Sequence, residues 1–321
     1  MLDALVQSLY AVFVLMAVAS FGYITAGRGW YDKKSVSLVA RLVNLALPFF
    51  LFSSVTTKFT HDEFMHLMTI AVVPFMAIAI DYAISWGLSK TRLVREDIRG
   101  VFIASFTPGS ILFIGIPLTL SMFGEEGIPY LLVYFFANVV FVWTIGQYNI
   151  QLDGCRRHGN ATPQLFSVKG LKMLFKPPMV AFLIALAFVV FAIPVPKPVA
   201  MACKLMGQMT SPLALVFIGI TIYNVGFAVL KNPPRELVII LLACYVIRPL
   251  VTYLCSLPFD MDPLMRQVFV VSSTLATTSV IGVLSRQFGA DDAFASEAVG
   301  ATTAGLVFAL PVILIVVNFI H

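Results

Sequence analysis

The chain has 321 residues, 60% of them hydrophobic and only 12% charged, with a net charge of +5 and a mean hydropathy of +0.94. A soluble core cannot hide that much apolar surface, because the buried fraction saturates as domains grow, so a soluble enzyme or binding module is excluded. The basic residues form no patch with interleaved aromatics, so no nucleic-acid partner is expected; they sit between apolar runs, where membrane proteins keep their topology signal.

Apolar runs of bilayer-spanning length are predicted at 4–26, 35–56, 64–88, 98–123, 127–149, 178–195, 199–223, 235–257, 266–287 and 297–319. The first starts at Leu2 without a basic leader and is read as a retained span rather than a signal peptide. The second holds Asn44 and Pro48. The third holds Asp81, the one acidic residue deep within a predicted span. The fourth contains "FTPGSILFIGIPLTLSMFG" at 106–124, with Thr107, Pro108, Gly109, Ser110, Gly115 and Pro117. Proline lacks the amide a helix needs, and lipid tolerates unpaired backbone only inside protein or beside a water-filled cavity. An interruption is therefore expected here, either a simple kink or a functional break. In the second case, a half-helix beginning near Ser110 would offer free amides and a positive dipole end to a carboxylate.

The fifth span carries Asn138, the seventh Gln208 near Pro212, and the eighth Arg248. Asp81 and Arg248 are each costly in a membrane and are candidates for coupling or gating; a structural ion pair, or an Arg248 that snorkels to the interface, are the alternatives. The ninth span, "VVSSTLATTSVIGVLSRQFG" at 270–289, concentrates Ser272, Ser273, Thr274, Thr277, Thr278 and Ser279 around Ala276. Such hydroxyls either bond back to their own helix or cap freed carbonyls and contact a ligand. Cys155, Cys203, Cys244 and Cys255 form no CxxC pair, and no histidine stands at ligand spacing, so no disulfide framework, metal or cofactor is expected.

The halves echo one another. Pro48 and Pro212 are 164 apart, Phe123 and Phe288 165, and Asp81 and Arg248 167. Residues 1–149 form a first five-span repeat, 150–177 a connection, and 178–321 a second repeat, all in one membrane domain. An odd number of spans inverts the second copy. The expected fold is an all-α polytopic membrane protein with ten transmembrane helices as two inverted five-helix repeats, its discontinuous fourth and ninth helices meeting at the midplane. With the N-terminus outside, 15 Lys and Arg fall in inward connections and four in outward ones. That bias predicts both termini outside and the 150–177 connection in the cytoplasm. The Asn160-Ala161-Thr162 glycosylation pattern is then a chance match.

These segments resemble the auxin efflux carrier family, which includes plant PIN carriers and bacterial malonate and malate permeases. "LALPFFLF" resembles its second helix, "SILFIGIPL" its fourth, "FKPPMVAFLIAL" its sixth, "LMGQMTSPLALVFIG" its seventh and "VGATTAGLVFALPVIL" its tenth. The resemblance implies crossing fourth and ninth helices beside a carboxylate pocket, and an elevator-like carrier of organic anions. Gly115 and Pro117 match the fourth-helix motif, whereas Ser110 replaces the family's asparagine and Ala276 stands where plant members have proline. Asp81 resembles an acidic residue of their third helix, with Ser85 in place of a basic one, and Asn138 matches a position near the crossover. The permease branch is the better match, which favours a small dicarboxylate. Substrate contacts are expected from Thr107, Pro108, Gly109, Ser110, Asn44, Asn138, Gln208, Thr274, Thr277, Thr278 and Ser279, and helix breaks at Pro108, Gly115, Pro117 and Ala276. The expected partners are a small carboxylate and the lipid of the cell inner membrane, with a homodimer one assembly open to the chain. Either H+ or Na+ is open as coupling ion.

Two rival carriers or pores share these spans: an organic-anion carrier like the bile-acid sodium symporters, and an anion channel, though no ring-forming filter motif is visible. An enzyme is not expected, since GxSG, HExxH, paired intramembrane aspartates and a P-loop are all missing from the sequence.

Overall fold

Lipid offers the backbone no hydrogen bonds, so apolar runs of this length close their amides and carbonyls within helices. The computed structural model describes residues 2–58, 69–159, 177–226 and 231–317 and is helical throughout, with no strand among the described residues. Six described helical stretches are long and apolar enough to cross a bilayer.

In chain order, α1 is Leu2–Gly27 and α2 Lys33–Lys58. Asp32 starts α2: its Oδ1 accepts from the Ser35 amide at 2.7 Å and the Ser35 hydroxyl at 2.6 Å, which holds this carboxyl below its usual range. Then come α3 (Val72–Ser89), α4 (Arg99–Phe106), α5 (Ile116–Phe123), α6 (Ile128–Phe141), α7 (Gln147–His158) and α8 (Pro177–Val190). The rest are α9 (Lys197–Gln208), α10 (Thr210–Val225), α11 (Arg235–Leu242), α12 (Arg248–Ser256), α13 (Pro263–Ser273), α14 (Val280–Phe288) and α15 (Asp292–Val317). π-helical turns precede α5, α7 and α12, at Ile111–Gly115, Val142–Gly146 and Ala243–Ile247. In two of them a proline follows at once, Pro117 and Pro249. A proline cannot donate to the preceding turn and its ring pushes that carbonyl away; the wider π turn makes room for it.

Some boundaries differ from those expected. The helix of the fifth span runs on to His158, beyond the predicted end at 149. Asp153 reads as connection because it is polar, yet it is buried, as are Gln147 and Asn149 just before it, and α7 packs on α4. The sixth helix ends at Val190 rather than 195, where Ala192 takes φ 50° and Pro194 and Pro196 follow. Pro48 lies inside α2, whereas Pro212 falls in the first turn of α10. The start of the third predicted span at 64–68, and residues 160–176 of the long connection with its Asn160-Ala161-Thr162 triplet, lie outside the described residues.

The chain divides into two compact units, and each draws on both halves of the sequence. Unit one comprises Met1–Ala71, Leu112–Val133 and Phe175–Asn224. Here α2 packs on α8 and α9, and α1 on α5. α1 and α10 approach through glycine: a Cβ on Gly219 would run into the Ala19 carbonyl, and one on Gly22 into that of Val216. Tyr23 and Tyr223 close this seam edge-to-face, with ring centroids 5.3 Å apart. Unit two comprises Val72–Ile111, Tyr134–Leu174 and Val225–His321. Short α4 is its hub, packed against α3, α7, α11, α14 and α15.

Gly219→Ala should therefore destabilise the protein by about 1–3 kcal/mol through overpacking. Gly87→Ala on α3, whose Cβ meets nothing within 4 Å, should be neutral or stabilising by up to about 1 kcal/mol. Thermal unfolding of the two purified variants in detergent checks this; equal melting temperatures would refute the close approach of α1 and α10.

Candidate functional site

Unit two contains two helix interruptions that meet. α4 stops at Phe106 and helical hydrogen bonding resumes only at Ile111; α13 stops at Ser273 and α14 starts at Val280. Gly109 and Thr277 pair as an antiparallel bridge, and the Ser110 amide donates to the Ala276 carbonyl at 2.8 Å. Each break also borrows a side chain from another helix. Asn138 of α6 accepts from the Gly109 amide at 3.2 Å and donates to the Gly109 carbonyl at 2.9 Å. The Thr302 hydroxyl of α15 accepts from the Thr277 amide at 3.0 Å. The Thr277 hydroxyl, in turn, donates to the Ser105 carbonyl at 2.8 Å. Gly109 has to be small: a Cβ there would sit 3.1 Å from the Leu275 Cβ and 3.4 Å from Arg248 Nη2.

Arg248 closes the carbonyl ends of both breaks. It is 1% exposed. Its Nε donates to the Ser273 carbonyl at 2.7 Å and its Nη2 to the Leu275 carbonyl, both in the second break. Its Nη1 lies 3.4 Å from the Phe106 carbonyl and 3.5 Å from that of Pro108, in the first. The C-termini of α4 and α13 are the negative ends of their dipoles, so a shared cation suits both. The opposite ends carry carboxylates. Asp153 of α7 accepts from the Val101 amide at 2.8 Å in the first turn of α4, and Asp262 accepts from the Leu264 amide at 2.8 Å at the start of α13. Gly100 lets α7 close on α4, since a Cβ there would strike the Asn149 carbonyl.

Asp81 is buried on α3, which packs against α12. It lies within electrostatic reach of Arg248, and neither of its oxygens has a hydrogen-bond partner among the described residues. Ser85, one turn on, lies 3.5 Å from the Thr107 hydroxyl, oxygen to oxygen.

The chain matches the model of a family described as "Membrane transport protein" over residues 5–314. It belongs to the auxin efflux carrier family. It is 25% identical over 289 residues to a Rhizobium meliloti (strain 1021) protein named "Putative malonate transporter", covering 88% of this chain and 87% of that one. It is 20% identical over 308 residues to an uncharacterized transporter of Methanocaldococcus jannaschii, covering 91% and 93%. The chain is thus a membrane transporter and not an enzyme.

In this family member, Thr107, Pro108, Gly109, Ser110, Asn138, Thr274, Ala276, Thr277 and Arg248 come together around the paired breaks, all buried. Thr278 is half-buried and Ser279 exposed, and their carbonyls accept the first amides of α14. Gly115 caps α5 and Pro117 stands in its first turn. Asn44 is exposed on α2 and donates to its own helix at the Ala40 carbonyl at 2.8 Å. Gln208 is exposed at the end of α9. One chemical detail differs from expectation: the Ser110 amide is not free, because Ala276 takes it, and the Ile111 amide bonds the Gly109 carbonyl at 3.1 Å. Of the alternatives for Arg248, snorkelling is ruled out by its burial. Asp153 and Thr302 were not singled out from the sequence. Asp153 was hidden inside an apparent connection, and Thr302, next to Thr303, stands in an apolar run with nothing local to mark its partner.

Removing the Arg248 cation would leave carbonyls of both breaks unpaired. Arg248→Met should cost about 3–5 kcal/mol and lower the melting temperature by roughly 10 °C. Thr277→Val loses one hydroxyl bond and should cost about 1 kcal/mol. The comparison is made by fluorescence-detected melting in detergent, and an Arg248→Met protein as stable as Thr277→Val would show that the guanidinium does not hold the breaks.

Proposed function

We propose that this family member is a secondary transporter of small organic carboxylates of the malonate or malate type, working across the cell inner membrane by an elevator-type movement. The observation that carries the reading is the paired interruption: two helices whose non-helical breaks pair through Gly109 and Thr277, with the buried side chains of Thr107, Ser110, Thr274 and Thr277 around them. Discontinuous helices of this kind form substrate sites in secondary transporters. The relative named for malonate supports the substrate class.

The ten-helix inverted repeat is supported by local correspondences. α5 and α14 both end at a glycine with positive φ, Gly124 and Gly289. Asn138 serves the backbone of the first break as Thr302 serves that of the second, 164 residues later. In the elevator reading, unit two carries the interrupted helices and moves, and unit one is the frame. The positive-charge bias supports an outside N-terminus and C-terminus.

Proton coupling through Asp81 is favoured over sodium coupling. Sodium sites in such folds use carbonyls freed by unwound backbone; here those of Phe106, Pro108, Ser273 and Leu275 already face Arg248. Asp81 is the buried acid left with unpartnered oxygens beside that cation.

Proteoliposomes supplied with radiolabelled malonate, malate and an aromatic acid, under imposed proton or sodium gradients, test both parts. Saturable malonate or malate uptake driven by a proton gradient is expected; no movement or binding of any of the three sinks the carboxylate reading. Ser110→Leu should abolish uptake in a protein that still folds. Asp81→Asn should flatten the dependence of uptake on pH, and an unchanged profile would assign Asp81 a structural part only.

A further inference from the structure

Unit one contains a cavity of about 360 Å³, at the low end of the roughly 300–1,000 Å³ typical of small-molecule sites. Its polar wall comes from three helices: Ser53, Ser54 and Thr57 of α2, Lys204 and Gln208 of α9, and Ser211 of α10. Ser53 and Thr57 are one helical turn apart, as are Lys204 and Gln208, so each pair shares a face. Gly207 brings the two stripes together. A Cβ there would lie 2.8 Å from the Phe50 Cα, so only glycine lets the α9 backbone sit against α2 at this level. Phe50, Leu120 and Ile128 supply apolar surface. The one acidic group of the wall, Glu125, is already engaged by another group of the protein, whereas Lys204 makes no ion pair among the described residues.

We propose that this cavity binds a carboxylate end of a small organic acid. The Lys204 ammonium supplies the opposite charge, and the Ser53, Ser54 and Ser211 hydroxyls with the Gln208 amide supply donors to the carboxylate oxygens, the Thr57 hydroxyl being spent on the Ser53 carbonyl at 2.6 Å. The apolar residues take the carbon skeleton, which an inorganic oxyanion lacks. The assignment rests on the cavity alone and holds whether or not the interrupted helices bind the same acid.

Calorimetry on the full-length protein in nanodiscs, with malonate, propionate and sulfate as probes, tests it. Malonate or propionate should bind in a component that Lys204→Gln weakens at least tenfold and that Lys204→Arg largely restores. Ser54→Val should weaken it severalfold, and sulfate should bind at least tenfold less tightly. Ser110→Leu should leave this component in place. Binding unchanged by Lys204→Gln, or absent for both organic acids, overturns the proposal; sulfate binding as tightly as malonate overturns the organic class. A component lost in Ser110→Leu but kept in Lys204→Gln overturns the cavity and leaves the carrier reading standing. A component lost in Lys204→Gln and kept in Ser110→Leu establishes the cavity, and only if no second component remains that Ser110→Leu removes does it also sink the interrupted helices as a carboxylate site.

Discussion

A helix interrupted inside a membrane protein leaves carbonyls at the end of its first half with nothing to accept from, and lipid supplies no donor. Here two such ends face one guanidinium. Arg248 donates into both breaks, and its planar fork of five N–H groups can reach carbonyls on either side in a way a lysine cannot. The cost of burying that charge is offset by the negative ends of two helix dipoles and by the nearby Asp81 carboxylate. Asp153 and Asp262 complete the arrangement at the other ends of α4 and α13. Each short half-helix therefore has an acid at its start and shares a base at its end, which suits segments of only 8 and 11 residues that would be marginal alone.

The broad architecture was legible because hydropathy and proline act locally. Runs of apolar residues located most helix ends within a few positions, the end of α7 at His158 excepted, and Pro108 with Gly109 marked the first interruption. The second was harder. No proline stands between α13 and α14, and its Ser and Thr residues divide their hydroxyls between two uses: those of Ser272, Ser273 and Thr274 bond back to their own helix, while that of Thr277 reaches Ser105. What ends α13 at Ser273 is an arginine 25 residues upstream, and sequence carries no sign of which carbonyl a distant side chain will meet. The same holds for Asp153, whose polarity reads as solvent exposure until α4 is packed over it.

Nor did the sequence order indicate how the helices would group. Each unit is woven from both halves, so helices far apart in the sequence pack together. Glycine does much of the grouping. Gly22 and Gly219 let α1 and α10 approach backbone to backbone, and Gly154 does so where α7 meets the Phe288 carbonyl. Small residues have this part in membrane helices because lipid tails compete equally well for apolar surface, leaving close packing to hold helices together.

The two breaks have a mechanical meaning as well. Prolines, glycines and non-helical backbone are usually read as points of bending. Yet across this junction the Ser110 and Thr277 amides are taken, Gly109 is gripped at both its amide and its carbonyl, and the freed carbonyls are held by one rigid fork. Bending at either gap would have to break several of these bonds at once, far from water. The junction is a rivet and not a hinge: α4, α13 and the helices that serve them can tilt or slide only together, and flexibility must be found elsewhere in the chain.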